Sequence, residues 1–300
     1  MRFSVWPTAN QPWADLLATA RHAEATGWDG LWIADHFMGN APGQPAELPT
    51  LEAGSLVAAL AAAVDRVRIG TLVYGNTYRH PAVVANMAAT VDHISGGRFT
   101  LGLGTGWQIN EHEQYGIDLP PAGELVDRFS EAIQIVSGLL REPTTTFAGR
   151  HYTLTDALCE PKPVQERLPL MVGARQNRML GIVARHADLW NTWGAPDHIA
   201  ERSAALTRAC ERADRDPDEI GRTGQAVLFI TADDAEAERL AERVARPVMA
   251  GTVERLRDIV AAYAEAGLDE LIVPDASLGQ GQQKRDLLDT FIGEVAPAFR

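Results

Sequence analysis

Eight short apolar runs punctuate this 300-residue chain, and each gives way to a segment of helical periodicity. The runs fall at 2–7, 30–34, 67–73, 99–104, 170–173, 189–192, 225–231 and 270–274. The helical segments fall at 13–26, 51–63, 81–94, 123–140, 177–186, 196–213, 234–245 and 252–266, with a closing helix at 284–299. Gly27 stops the first helix, Thr50 is placed to cap the second, and Pro81 suits the first position of the third. Strands that alternate with helices build a parallel sheet, and a continuous run such as GLWIA at 30–34 is what a strand buried on both faces carries. Eight such units predict an α/β fold, the (β/α)8 TIM barrel. A doubly wound sheet has fewer strands and a visible split into two halves. Residues 141–168 break the rhythm with Pro143, a run of threonines, Gly149 and the Pro161–Lys162–Pro163 group. They read as an excursion holding a small hairpin, so residues 1–300 are expected to form one barrel domain.

Composition narrows the function classes. At 46% hydrophobic residues the chain can bury a large core, and its formal net charge of −13 argues against nucleic-acid or anionic-membrane partners, which need a basic face. Cys159 and Cys210 are far apart and neither belongs to a CxxC, so no zinc or disulfide framework is expected, as suits a reducing cytosol. The start, MRFSVWP, enters a strand pattern without a charged-then-apolar leader, and the longest mostly apolar run, 51–64, is too short for a bilayer and contains Glu52. A soluble cytoplasmic protein is the expectation.

In a barrel of this kind the chemistry sits at the carboxyl ends of the strands. There the sequence places Asp35 and His36 after strand 2, Tyr74, Asn76 and Tyr78 after strand 3, and Thr105, Gly106, Trp107 and Asn110 after strand 4. Arg175, Gln176 and Asn177 follow strand 5, and Asn191, Thr192 and Trp193 follow strand 6. His36 is a candidate general acid/base or ring-directed donor, since imidazole titrates near neutrality; the bland alternative is a histidine bonded to loop backbone. The segment VGARQNRML at 172–180 runs from a strand into a helix whose free amides, with Arg175 or Arg178, suit a phosphate. Glu111, His112 and Glu113 hint at a metal, but no ligand spacing such as HExxH is present, so a solvated, charged helix start and no metal are expected. The glycines of LGLGTG at 101–106 do not complete GxGxxG, because Trp107 stands where the last glycine belongs, and three strand–helix units precede them.

Several phrases resemble one superfamily. ADHF at 34–37, RIGTLVYGNTYRHP at 68–81, LGLGTGWQINEHEQYGI at 101–117, GRHY at 149–152 and ARHADLWN at 184–191 are similar to the luciferase-like monooxygenases, and among them to the actinobacterial deazaflavin-dependent oxidoreductases. The resemblance implies a TIM barrel with an insertion after helix 4. It also implies a site for coenzyme F420, an 8-hydroxy-5-deazaflavin, or alternatively FMN, across the strand ends. By the same resemblance His36 lies near the reactive ring, beside Asp35, and a non-proline cis peptide at Leu72–Val73 backs it. Thr105, Gly106, Asn110 and Thr192 line the ring, and Gly173, Ala174, Arg175 and Gln176 hold the phosphate. One departure stands out. A sugar-phosphate dehydrogenase branch carries a glutamate directly after the strand-4 glycines, where this chain has Trp107.

The expected function is hydride transfer between the deazaflavin and a small organic substrate, with Trp6, Trp107 and Trp193 as pocket walls and a homodimer implied by the family. An FMN-dependent monooxygenase is the rival, and a non-catalytic flavin- or deazaflavin-binding barrel is the third reading.

Overall fold

The computed structural model describes residues 1–39 and 44–300; residues 40–43, in the centre of the glycine- and proline-rich loop expected after the second strand, lie outside the described residues. The first half runs β1 (Arg2–Trp6), α1 (Trp13–Thr26), β2 (Gly30–Ile33), α2 (Ala53–Ala63), β3 (Arg68–Thr71) with a two-residue continuation β4 (Tyr74–Gly75), α3 (Pro81–Ser95), β5 (Phe99–Gly104), α4 (Ile109–Tyr115) and α5 (Ala122–Arg141). The second half runs β6 (Thr145–Ala148), β7 (Thr153–Ala157), β8 (Leu170–Gly173), α6 (Asn177–His186), β9 (Leu189–Trp193), α7 (Pro196–Arg212), β10 (Gly221–Gln225), β11 (Val227–Ile230), α8 (Asp234–Ala241), β12 (Val248–Gly251), α9 (Val253–Glu265), β13 (Glu270–Pro274) and α10 (Gly281–Thr290). Eight strands close on themselves in the order β1, β2, β3, β5, β8, β9, β10, β13 and back to β1, every neighbour parallel. This is the expected (β/α)8 barrel.

Among the described residues two hydrophobic clusters hold it together. The larger lies between barrel and helices, where α5 buries Phe129, Ile133, Val136 and Leu140 along one stripe. The smaller comprises Trp32, Leu72, Met171, Leu189 and Ile272, with Trp6 and Val73 packed on it. Beneath it Glu270, fully buried at the start of β13, accepts hydrogen bonds from Ser4 Oγ (2.6 Å), Trp32 Nε1 (2.8 Å) and Arg68 (2.7 Å). Burial pushes its carboxyl up, but Arg68, Ser4 and Trp32 outweigh that and hold it below the ordinary range. A satisfied charge thus plugs the amino end, and the carboxyl ends stay open.

The structure corrects the reading in several places. The seventh barrel strand is Gly221–Gln225, not 225–231; the apolar VLFI run is β11, which leaves the barrel to pair in parallel with β12. The barrel strand escaped notice because its inward side chains are polar: Thr223 bonds Asn191 Nδ2 (2.7 Å) and the Trp190 carbonyl (3.1 Å). Glu52, not Thr50, caps α2, accepting from the Gly54 and Ser55 amides at 2.7 Å each, while Thr50 donates to the Leu48 carbonyl. The closing segment is α10 followed by a π turn at Phe291–Val295 and a 3-10 turn at Ala296–Phe299, not one continuous helix. Between α5 and β8, β6 and β7 form the small antiparallel hairpin, pinned by Glu131, which accepts the amides of Arg150, His151 and Tyr152.

Candidate active site

The carboxyl ends of the strands enclose a cavity of about 580 Å3, ordinary for a small-molecule site. Of the other strand-end residues, Tyr78 and Asn191 line it, and Tyr74, Asn76 and Asn177 do not; of the fifteen expected to touch cofactor or substrate, thirteen line it: Trp6, Asp35, His36, Leu72, Val73, Thr105, Gly106, Trp107, Gly173, Ala174, Arg175, Thr192 and Trp193. Two do not. Gln176 is the N-cap residue of α6, and Asn110, on α4, directs its amide nitrogen at Met38 Sδ (3.9 Å).

Along the wall built from β3, β5 and β8, glycines let neighbouring side chains pack against bare backbone. A Cβ on Gly104 would sit 2.6 Å from Val73 Cγ2, and one on Gly106 would sit 2.3 Å from Thr77 Oγ1 in a backbone already at φ +85°, so only glycine fits. The Leu72–Val73 peptide is cis, at the bond expected. Thr77 in turn bonds His112 Nε2 (2.7 Å), while His112 Nδ1–H donates to the Gln108 carbonyl (2.6 Å), which fastens the segment after β5 to the segment after β4.

His36 is held by a residue that the sequence reading set aside. Glu111, taken for a solvated helix start, is fully buried in the first turn of α4, and His112 is buried beside it. One carboxylate oxygen of Glu111 accepts the Phe37 and Met38 amides (2.6 and 3.1 Å); the other accepts the Tyr78 hydroxyl (2.5 Å) and faces His36 Nδ1 at 3.2 Å. Burial pushes the Glu111 carboxyl up, but His36, Tyr78 and the Phe37 amide outweigh it and keep it below the ordinary range. An ionised carboxylate only accepts, so Nδ1 carries a proton and, in the neutral ring, Nε2 holds the lone pair. Nε2 has no partner among the described residues. The ring meets Trp107 edge-on, with centroids 5.5 Å apart, and Trp107 itself is 55% exposed at the mouth.

Asp35 lines the cavity, yet its carboxylate is committed elsewhere. It takes Arg79 through both oxygens (2.7 and 3.0 Å) and the Gly75 amide (2.9 Å), tying the end of β2 to β4. Across the cavity Trp6 and Trp193 meet edge to face at 5.9 Å, and the Arg246 guanidinium lies 4.9 Å above the Trp193 ring. Neither Arg246 nor Arg175 has an ion-pair partner among the described residues, and α6 starts without a side-chain cap. Arg246 and Gln225 were not read as site residues. Arg246 lies just past a predicted helix, and Gln225 was read as the first residue of a strand rather than the last. Among the described residues no cluster of His, Cys, Asp or Glu could hold a metal ion.

The sequence profile of the Luciferase-like monooxygenase family matches residues 1–266. The chain belongs to this family. An F420-dependent glucose-6-phosphate dehydrogenase of Amycolatopsis mediterranei is 26% identical over 95% of this luciferase-like chain and 94% of its own. Pyrimidine monooxygenase RutA of Cronobacter sakazakii is 33% identical over 63% of this chain and 55% of its own. Among solved structures, an F420-dependent secondary alcohol dehydrogenase in complex with an F420–acetone adduct shares the fold with a TM-score of 0.85 at 21% identity, covering 100% of this chain and 99% of that one.

Proposed function

We propose that this protein is an oxidoreductase that moves a hydride between coenzyme F420 and a small organic substrate. The observation that carries the reading is His36, aimed into a glycine-walled cavity with Nδ1 fixed by the buried Glu111 and Nε2 open. The cavity suits the group: its volume of about 580 Å3 opens over strand ends where Gly104 and Gly173 let the Val73 side chain seat close to the backbone, and the start of α6, without a side-chain cap and beside Arg175, suits a phosphate. Bound there, the coenzyme gives or takes the hydride.

The chain's own work is binding and proton management. Leu72, Val73, Thr105, Gly106 and Thr192 would line the ring, and Gly173, Ala174 and Arg175 would receive the phosphate. Asp35 fixes the strand end from which His36 projects. His36 Nε2 accepts the proton of a substrate hydroxyl in oxidation, or returns it to a carbonyl oxygen in reduction, and Glu111 steadies the imidazolium between these steps. Trp6, Trp107 and Trp193 enclose the substrate and keep water out. With Trp107 at the position of the sugar-phosphate branch's glutamate, His36 is the acid/base of this site.

The similarity to F420-dependent dehydrogenases over nearly the whole chain supports this cofactor, and the similarity to a pyrimidine monooxygenase supports the rival, FMN-dependent oxygenation. The reading takes residues 1–300 as one catalytic domain with 141–168 as an insertion. It takes the protein as a cytoplasmic homodimer without nucleic-acid or membrane partners; the charge of −13 weighs against a basic face for nucleic acid or anionic lipid. Fluorescence quenching with F420 and FMN side by side tests the cofactor. Tight F420 and weak FMN binding is expected, and FMN binding without F420 binding sinks the proposal. Turnover lost in His36→Ala with F420 affinity retained then separates catalysis from mere binding.

A further inference from the structure

The cavity carries more positive charge than a coenzyme phosphate uses. Its carboxylate, Asp35, is neutralised by Arg79, and the two guanidiniums that line it, those of Arg175 and Arg246, have no ion-pair partner among the described residues. Arg175 stands by the uncapped start of α6, where the phosphate is placed, and Arg246 is left over. In a chain with 40 acidic residues against 27 lysines and arginines, an arginine without a carboxylate partner runs against the composition. Arg246 is exposed, and its contact among the described residues is with the Trp193 ring, 4.9 Å from the guanidinium carbon. Partial burial in the wall holds the guanidinium below the ordinary arginine range, with no nearby carboxylate to offset it. The group is charged, partly desolvated and free of any hydrogen bond within the described residues.

Its position favours a substrate over the coenzyme. Arg246 sits over Trp193 at the end of β9, and the Trp193 ring meets that of Trp6, at the end of β1, with centroids 5.9 Å apart. β1 is the neighbour of β2, beyond whose end His36 lines the cavity. The two indoles therefore join the His36 side of the mouth to the Arg246 side, and both are walls of the proposed substrate space. A guanidinium braced on an indole is already oriented, and its fork of N–H groups matches the two oxygens of a carboxylate.

We propose that Arg246 anchors the substrate and that the substrate is an acid, its carboxylate held by Arg246 while its hydroxyl or carbonyl faces His36. The inference rests on the hydride-transfer reading above, and it narrows the substrate class to a hydroxy acid and the corresponding keto acid. In the oxidative direction the carbinol C–H leaves as hydride to F420, the O–H proton passes to His36 Nε2, and the carbon becomes a carbonyl; the carboxylate is unchanged. A molecule of the same shape without the negative charge leaves the guanidinium partly desolvated and unpaired, and that difference is the basis of selection.

The test titrates cyclohexanecarboxylate and its neutral isostere cyclohexanecarboxamide into wild type, Arg246→Gln, Arg246→Lys and Arg175→Gln by calorimetry, first without coenzyme and then with saturating F420. Wild type binds the carboxylate at least roughly tenfold more tightly than the amide in both series, Arg246→Gln binds the two alike, and Arg246→Lys and Arg175→Gln keep a preference. The preference shrinks as NaCl is raised to about 0.5 M. Equal binding in wild type, including no binding of either probe, overturns the proposal, as does a preference that survives in Arg246→Gln. A loss of the amide along with the carboxylate in Arg246→Gln also overturns it, because Arg246 then shapes the cavity instead of selecting charge. Arg246→Gln keeps F420 affinity within about threefold; a loss of roughly tenfold or more, or a carboxylate preference abolished by F420, assigns Arg246 to the coenzyme's own anionic groups and overturns the proposal. Failure of F420 to bind wild type sinks the coenzyme reading, while the coenzyme-free comparison still decides the role of Arg246.

Discussion

Replacing Glu111 by glutamine alters one atom of a buried side chain and changes what His36 offers the cavity. The carboxylate serves four donors: two amides on one oxygen, and Tyr78 with His36 on the other. In the Glu111→Gln variant the remaining side-chain oxygen keeps the two backbone donors. The new NH2 group faces the Tyr78 hydroxyl and the His36 Nδ1–H, and it can only donate. Tyr78 turns its hydroxyl to accept, and His36 shifts its proton from Nδ1 to Nε2. Hydrogen bonds to a charged acceptor contribute about 1.5–3 kcal/mol each, so losing two and recovering part leaves a stability cost of about 2–4 kcal/mol. The cost to chemistry is larger. With a hydrogen on Nε2 the lone pair that takes the substrate proton is gone, and general-base catalysis contributes roughly 100- to 10,000-fold.

Two measurements check this. Nitrogen NMR of the histidine side chains shows protonation at Nδ1 of His36 in wild type and at Nε2 in Glu111→Gln. Steady-state turnover, on a substrate found by screening secondary alcohols and ketones, falls by roughly a thousandfold. Because Glu111 acts through the imidazole, adding Glu111→Gln to His36→Ala costs little more than His36→Ala alone. A double variant whose losses multiply, or a single variant that keeps more than a third of wild-type turnover, refutes the coupling.

Other perturbations follow from the same geometry. Gly106→Ala forces a Cβ against Thr77 Oγ1 at positive φ, so F420 affinity falls at least about tenfold in a quenching titration and the melting point drops. Trp107→Ala removes an exposed side chain, which changes unfolding free energy by less than about 0.5 kcal/mol while KM rises severalfold. Glu270→Ala strands Arg68, Trp32 and Ser4 at the closed end of the barrel and costs about 3–5 kcal/mol in urea unfolding, with F420 affinity of the folded fraction unchanged. Glu111 and Glu270 both have folded pKa values below the ordinary 4.5, so their stabilisation is fully present above that pH and is lost as pH falls through the folded values. Acid titration of stability in Glu111→Gln therefore shows a shallower decline below about pH 4.5 than wild type.

What could be read in advance and what could not divides along physical lines. Strands such as 170–173 and 270–274 and helices such as 13–26 and 177–186 were legible because both faces of the strand, or one stripe of the helix, must be apolar to bury against the next layer. Gly221–Gln225 was illegible by the same rule: its inward residues are polar, and the neighbouring VLFI run gave the stronger apolar signal. His36 and Trp107 could be found because strand ends are local in sequence. Glu111 could not, since its partners Phe37, Met38 and Tyr78 lie more than thirty residues away and only barrel closure brings them over α4. In isolation, a carboxylate in the first turn of a short helix has every reason to point at water. Burial reverses that when four donors converge on it, and the convergence belongs to the topology rather than to the segment. In this barrel the informative residue is the one that breaks the local pattern after the fold has closed: a charge buried behind His36.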